Sequence, residues 1–140
     1  MKKNLNNNKG LTLVEIMIVM ALVVMLGSFA GVKLVDQYNK ARVDGVKIQI
    51  ANFKQGLDAY YLAHNMYPHT TQGLDALIGK PTVGKVPDNY PDNGYLGKKE
   101  IPKDAWNNPY HYECEDYQNY KIWSDGKDGQ TGTADDITVE

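Results

Sequence analysis

The sequence predicts an α+β protein: a long N-terminal α-helix, apolar all round and then amphipathic, packed against a small antiparallel β-sheet. Three observations carry that prediction. Residues 16–32 contain no charged side chain, and residues 11–14 extend the run backwards with Glu15 as the single interruption before Lys33. Beyond Lys33, Val46, Ile50, Phe53, Leu57, Tyr60 or Tyr61, and His64 step by three and four, the stripe of a helix with one buried face. Residues 110–114 and 120–124 then alternate with period two across a polar stretch at 115–119, which reads as an antiparallel strand pair laid on that stripe.

The first element sets the terms for the rest. As a helix, residues 11–32 would be about 33 Å long, enough to cross a hydrocarbon core of about 30 Å. A carboxylate in such a segment costs about 2.5–3.5 kcal/mol at a helix centre on insertion scales, so Glu15 calls for a partner. A cleaved secretory signal would use the basic start (Lys2, Lys3, Lys9) and a cut near Ser28 and Ala30. Glu15 and the length of the run argue against that reading. A plain uncleaved anchor leaves Gly10 and Glu15 without a role. Gly27 and Gly31 have the Gly-x-x-x-Gly spacing that permits close helix approach in a membrane, or are simply small residues in an apolar helix.

The economical reading is one helix over residues 11–64. Gly45 and Gly56 weaken it by about 1 kcal/mol each relative to Ala, and Pro68 stops it by steering Tyr67 away from α geometry. Residues 70–79 predict a short capped helix ended by Gly79. Residues 80–109, rich in Pro, Gly, Asn and Asp, predict a long loop between helix and sheet.

Composition narrows the function. The chain has room for one small domain beside its helix. Its 15 basic and 17 acidic residues give −2; without Lys2, Lys3 and Lys9 the balance is 12 against 17, or −5. Such a chain has no electrostatic reason to bind nucleic acid or anionic lipid. The lysines at the start fit retention of that end in the cytoplasm, with the bulk of the chain on the other side of the membrane. Cys114 is the one cysteine, so no intramolecular disulfide forms.

The tail is the chain's one chemically dense loop. Asp125, Asp128, Asp135 and Asp136 fall within twelve residues, and Gly126, Gly129 and Gly132 allow carbonyls to turn inward. A hard cation such as Ca²⁺ takes about 6–8 oxygens from carboxylates and carbonyls, which this loop can supply. The spacing is not that of an EF-hand, and an acidic, solvated terminus explains the same residues.

Lys9-Gly10-Leu11-Thr12-Leu13-Val14-Glu15 resembles the type III signal of the type IV pilin and pseudopilin superfamily. The resemblance implies a pilin-like fold and cleavage between Gly10 and Leu11 by a prepilin peptidase. Leu11, where the superfamily usually has Phe, would then be the N-methylated first residue. Met66-Tyr67-Pro68, Gly73-Leu74-Asp75-Ala76-Leu77, residues 101–110 and the ending Ser124-Asp125-Gly126-Lys127-Asp128-Gly129 with Asp135-Asp136-Ile137 are similar to motifs of the type II secretion major pseudopilin family. Ala105 and Asp125 are departures from its pattern.

This second resemblance implies a cleaved leader at 1–10, a transmembrane and filament-core helix at 11–33, and a periplasmic domain at 34–140. It implies a structural Ca²⁺ held by the side chains of Asp128, Asp135 and Asp136 and by carbonyls near Asp125 and Gln130. It implies a structural subunit, with no catalytic role, of a homopolymeric periplasmic pseudopilus. Glu15 would act in assembly, and the partners would be further copies, minor pseudopilins and the inner-membrane secretion platform. Two rivals remain. The major subunit of an extracellular type IV pilus would share the N-terminal half but often carries a C-terminal disulfide loop. A membrane-tethered, metal-assisted hydrolase has only the carboxylates in its favour, since His64, His69 and His111 lack metal-ligand spacing with each other or with Cys114.

Overall fold

The computed structural model describes residues 11–139, with the side chains of residues 28–32 outside that description. The element order is α1 (Leu13–His64), a short 3₁₀ helix (Leu74–Leu77), β1 (Tyr110–Glu113) and β2 (Lys121–Ser124). The chain divides into two units, the first ending at Asn39 and the second beginning at Lys40.

In the first unit, residues 11–27 are exposed throughout, Leu11 at 76% and Leu26 at 70%. A helix apolar on every side has no face to turn toward a core, so the chain itself leaves it uncovered. Among the described residues no helix is long and apolar enough to cross a membrane. The apolar run expected to do so passes through residues 28–32, whose side chains lie outside the described residues.

In the second unit the expected stripe is buried from Val46 to Tyr60, where Val46, Ile50, Phe53, Leu57 and Tyr60 form one side of the core, while His64 at its end is half-buried. Of the two candidate tyrosines, Tyr60 is the buried one and Tyr61 lies at the edge. Opposite the stripe pack Leu74, Ala76 and Leu77 from the 3₁₀ helix, with Ile122 and Ile137 from the sheet side. Phe53 meets the ring of Tyr110 edge-on at 5.0 Å, tying α1 to β1. The strands pair antiparallel, Tyr110 opposite Ser124 and Glu113 opposite Lys121. Ser124 also pairs with Ile137, so the tail returns to the sheet beyond β2.

Three details differ from the sequence reading. The helix ends at His64, closed by Asn65 in the left-handed conformation (φ 54°) before Pro68 can act. The helix expected at 70–79 shrinks to a four-residue 3₁₀ turn with no side-chain cap. Thr70, the first residue of that expected helix, is engaged elsewhere: its hydroxyl accepts from the Cys114 amide at 2.8 Å and lies 3.0 Å from the Cys114 carbonyl.

The long loop is held at several points. Buried Gln72 donates to the carbonyls of Val83 (2.6 Å) and Lys85 (3.0 Å). Tyr90 donates to the Ala76 carbonyl, and the amides of Tyr95 and Leu96 both donate to the Leu77 carbonyl. Gly94 makes that last approach possible. Its φ is +64°, and a Cβ there would stand 2.6 Å from the Leu77 carbonyl oxygen. Gly94→Ala combines left-handed strain with a backbone clash, and should destabilise the second unit by about 1–3 kcal/mol. Thermal unfolding checks this, with Gly97→Ala as the control: it has the same sign of φ but open space around it.

Candidate functional site

Two places carry functional candidates, the head of α1 and the C-terminal loop. At the head, Thr12 and Glu15 form a reciprocal cap. The Glu15 amide donates to the Thr12 hydroxyl at 3.2 Å, while the Thr12 amide and hydroxyl donate to Glu15 Oε2 at 2.8 and 2.9 Å. This is the capping box, a Thr and a Glu three residues apart satisfying each other's orphan donors at a helix start. Glu15 thus has a partner inside its own chain, which the sequence reading did not name although the Thr-x-x-Glu spacing announces it. Gly10 lies outside the described residues, so the Gly10–Leu11 bond is not seen.

The C-terminal loop is fastened to the sheet through Asp125, a residue only 6% exposed. Its Oδ2 accepts from His111 Nε2 at 2.6 Å, and its Oδ1 from Trp123 Nε1 at 3.2 Å and Thr131 Oγ1 at 2.7 Å. Burial raises the carboxyl's pKa, but hydrogen bonds from Thr131 and His111 outweigh it and hold the pKa below the ordinary value. A second anchor sits alongside. Ser124 donates to Asp104 Oδ2 at 2.6 Å and accepts from the Gly126 amide, and Asn108 donates to the Gly126 carbonyl. Gly126 (φ 63°) packs so closely on the Asp135 carbonyl that no side chain fits between them.

The candidate ligands are distributed unevenly. Asp128 and Asp135 are exposed, and Asp128 Oδ1 accepts from the Gln130 amide at 3.0 Å. The Gln130 carbonyl, an expected ligand, accepts from Thr133 Oγ1 at 3.2 Å. Asp136 Oδ2 accepts from the Gly132 amide at 2.8 Å, while its Oδ1 is buried with no hydrogen-bond partner. Among the described residues no three His, Cys, Asp or Glu side chains are gathered as a metal cluster. The orphaned Asp136 Oδ1 therefore stands out. A buried carboxylate oxygen without a donor is costly, and a hard cation satisfies it. Sequence spacing could not reveal the His111–Asp125 or Asp104–Ser124 pairs, because strand pairing and a loop return create them.

The family profile described as "Type II secretion system (T2SS), protein G" matches residues 33–140. The chain belongs to the type II secretion system protein G family. A second profile, the prokaryotic N-terminal methylation motif, matches residues 5–31, across the capping box. The chain is 40% identical over 129 residues to the type II secretion system core protein G of Aeromonas hydrophila, covering 91% of this chain and 89% of that relative. It is 35% identical over 139 residues to the protein of the same name from Vibrio cholerae, covering 96% and 93%. Its fold resembles the crystal structure of the major pseudopilin from the type 2 secretion system of enterohaemorrhagic Escherichia coli. That match has a TM-score of 0.65 at 38% identity and covers 74% of this chain and 87% of the other.

Proposed function

We propose that this protein G family member is the structural subunit of a type II secretion pseudopilus, a periplasmic filament that drives protein export across the outer membrane. One observation carries the reading: a domain of the protein G family is joined to an apolar helix that its own chain leaves bare. Bare apolar surface on that scale is covered by lipid or by other helices. In this reading a prepilin peptidase cuts between Gly10 and Leu11, and Leu11 is N-methylated. The helix at 11–33 then holds the chain in the inner membrane, with residues 34–140 in the periplasm. The secretion platform extracts it into a homopolymer that minor pseudopilins join. The role is structural, and the carboxylates of the tail serve the fold.

A Ca²⁺ ion belongs to this reading. Asp136 Oδ1, buried and unpartnered, supports it, as does a surrounding loop whose candidate donors are all oxygens. Asp128, Asp135 and Asp136 would hold the ion with their side chains, and Asp125 and Gln130 with their carbonyls. The ion would supply charge neutralisation and cross-link the loop.

N-terminal mass spectrometry of protein from cells with a working secretion apparatus tests the processing. A methylated Leu11 start is expected, and a start at Gly31 would overturn the reading.

A further inference from the structure

We propose that His111 is a positioning residue for the C-terminal loop: through Asp125 it holds the loop's oxygens ready for a divalent cation. This rests on the cation reading above and extends it to a residue outside the loop. His111 lies on β1 directly opposite Trp123 of β2, and the two rings stack at 5.3 Å with only 15° between their planes. Strand pairing and stacking therefore fix the imidazole before the loop is considered. From there Nε2 reaches Asp125 Oδ2 at 2.6 Å.

With both oxygens occupied, the Asp125 side chain has no freedom, and neither has the backbone that turns at Gly126 (φ 63°). Asp125 Oδ1 also receives Thr131 Oγ1 from the far limb of the loop. The hydrogen bonds from Gln130 to Asp128 and from Thr133 to Gln130 stay within that limb. The carboxylate of Asp125 is thus a clasp rather than a ligand. It closes the loop from the sheet side and leaves its carbonyl, with the other oxygens, to the ion. A loop already closed loses less freedom when the ion enters, which lowers the cost of binding.

Outer partners of metal ligands typically contribute about 10–100-fold in affinity. His111→Ala in the whole chain, held in detergent and titrated calorimetrically with Ca²⁺, is expected to weaken binding by about that factor. The rise in Tm on adding Ca²⁺ should shrink with it. His111→Gln, whose amide nitrogen can donate in place of Nε2, should recover much of the loss. A packing role alone would lower Tm equally with and without Ca²⁺ and leave Kd unchanged, which overturns the proposal. Thr131→Val on the exposed limb removes another donor to the same carboxylate, so it keeps the test open if the His111→Ala chain fails to fold. It should weaken binding in the same direction, and an unchanged Kd there overturns the clasp. Wild-type chain that takes up no Ca²⁺ overturns the cation reading and this inference together, whereas Ca²⁺ binding that survives His111→Ala at full strength overturns the inference alone.

Discussion

Glu15→Ala is expected to leave cleavage after Gly10 and membrane insertion intact while abolishing filaments and, with them, secretion. Two effects contribute, and their sizes differ. Loss of the Thr12–Glu15 cap should fray the first turn, at about 0.5–2 kcal/mol, a small fraction of what holds a 52-residue helix. The larger effect concerns charge. Cleavage would leave an amine at Leu11, and an unpaired charge of either sign in an apolar setting is far costlier than a lost cap.

In a filament the amine of one copy would pair with Glu15 of its neighbour, neutralising both charges and setting the axial register. Because every subunit would repeat the contact, the loss would recur along the whole filament and should stop its growth. Glu15→Gln separates the two effects. Its side-chain carbonyl can still accept from Thr12, so the cap survives while the charge is gone. Electron microscopy of filaments from that variant should show none. Normal filaments from Glu15→Gln would make the cap the whole role of this residue, and normal filaments from Glu15→Ala would leave it no role in assembly.

The second large effect is expected from removing the proposed Ca²⁺. A ligand that binds the folded loop alone stabilises the chain by about 2.7 kcal/mol when present at a hundredfold excess over Kd. At roughly 4–8 °C per kcal/mol for a domain of about a hundred residues, chelation should lower Tm by about 10–20 °C. Asp136→Ala removes the oxygen that lacks a hydrogen-bond partner, so it should bring Tm down to the chelated value and abolish the response to added Ca²⁺. Asp128→Ala should act in the same direction. Dissociation constants of extracellular Ca²⁺ modules are commonly about 10⁻⁴–10⁻³ M, so the shift should titrate at submillimolar to millimolar concentrations. A wild-type melting curve that does not move with chelator would return the tail to an acidic, solvated terminus.

The two ends of the chain differ in how much of this could be read in advance. On the N-terminal side the helix and its buried stripe were legible, because the interactions are local. The stripe from Val46 to Tyr60 follows from helical period alone, and the cap joins residues three apart. The short helix departs from the sequence expectation for a physical reason. Thr70 is the first residue of the expected helix, but a strand end 44 residues away competes for its hydroxyl through the backbone of Cys114. The extent of the long loop was plain from its Pro and Gly content. Its attachment was not, since Gln72 and Gly94 work through carbonyls no pattern points to.

The sequence alone therefore determined the helix, its change from all-round apolar to striped, the strand pair and the acidic loop. Each of these is written in periodicity or composition, which act over a few residues. It also contained the family resemblance that the match over residues 33–140 makes definite. Only the tertiary structure decided what the acidic residues do individually. Asp125 is turned inward to His111, Trp123 and Thr131, Asp128 is left in solvent, and Asp136 keeps one buried oxygen without a donor. Four carboxylates of the same type diverge in this way because burial and hydrogen-bond partners come from the strand register and from the return of Ile137 to Ser124. Those pairings bring together residues far apart in the chain, and spacing along the chain carries no record of them.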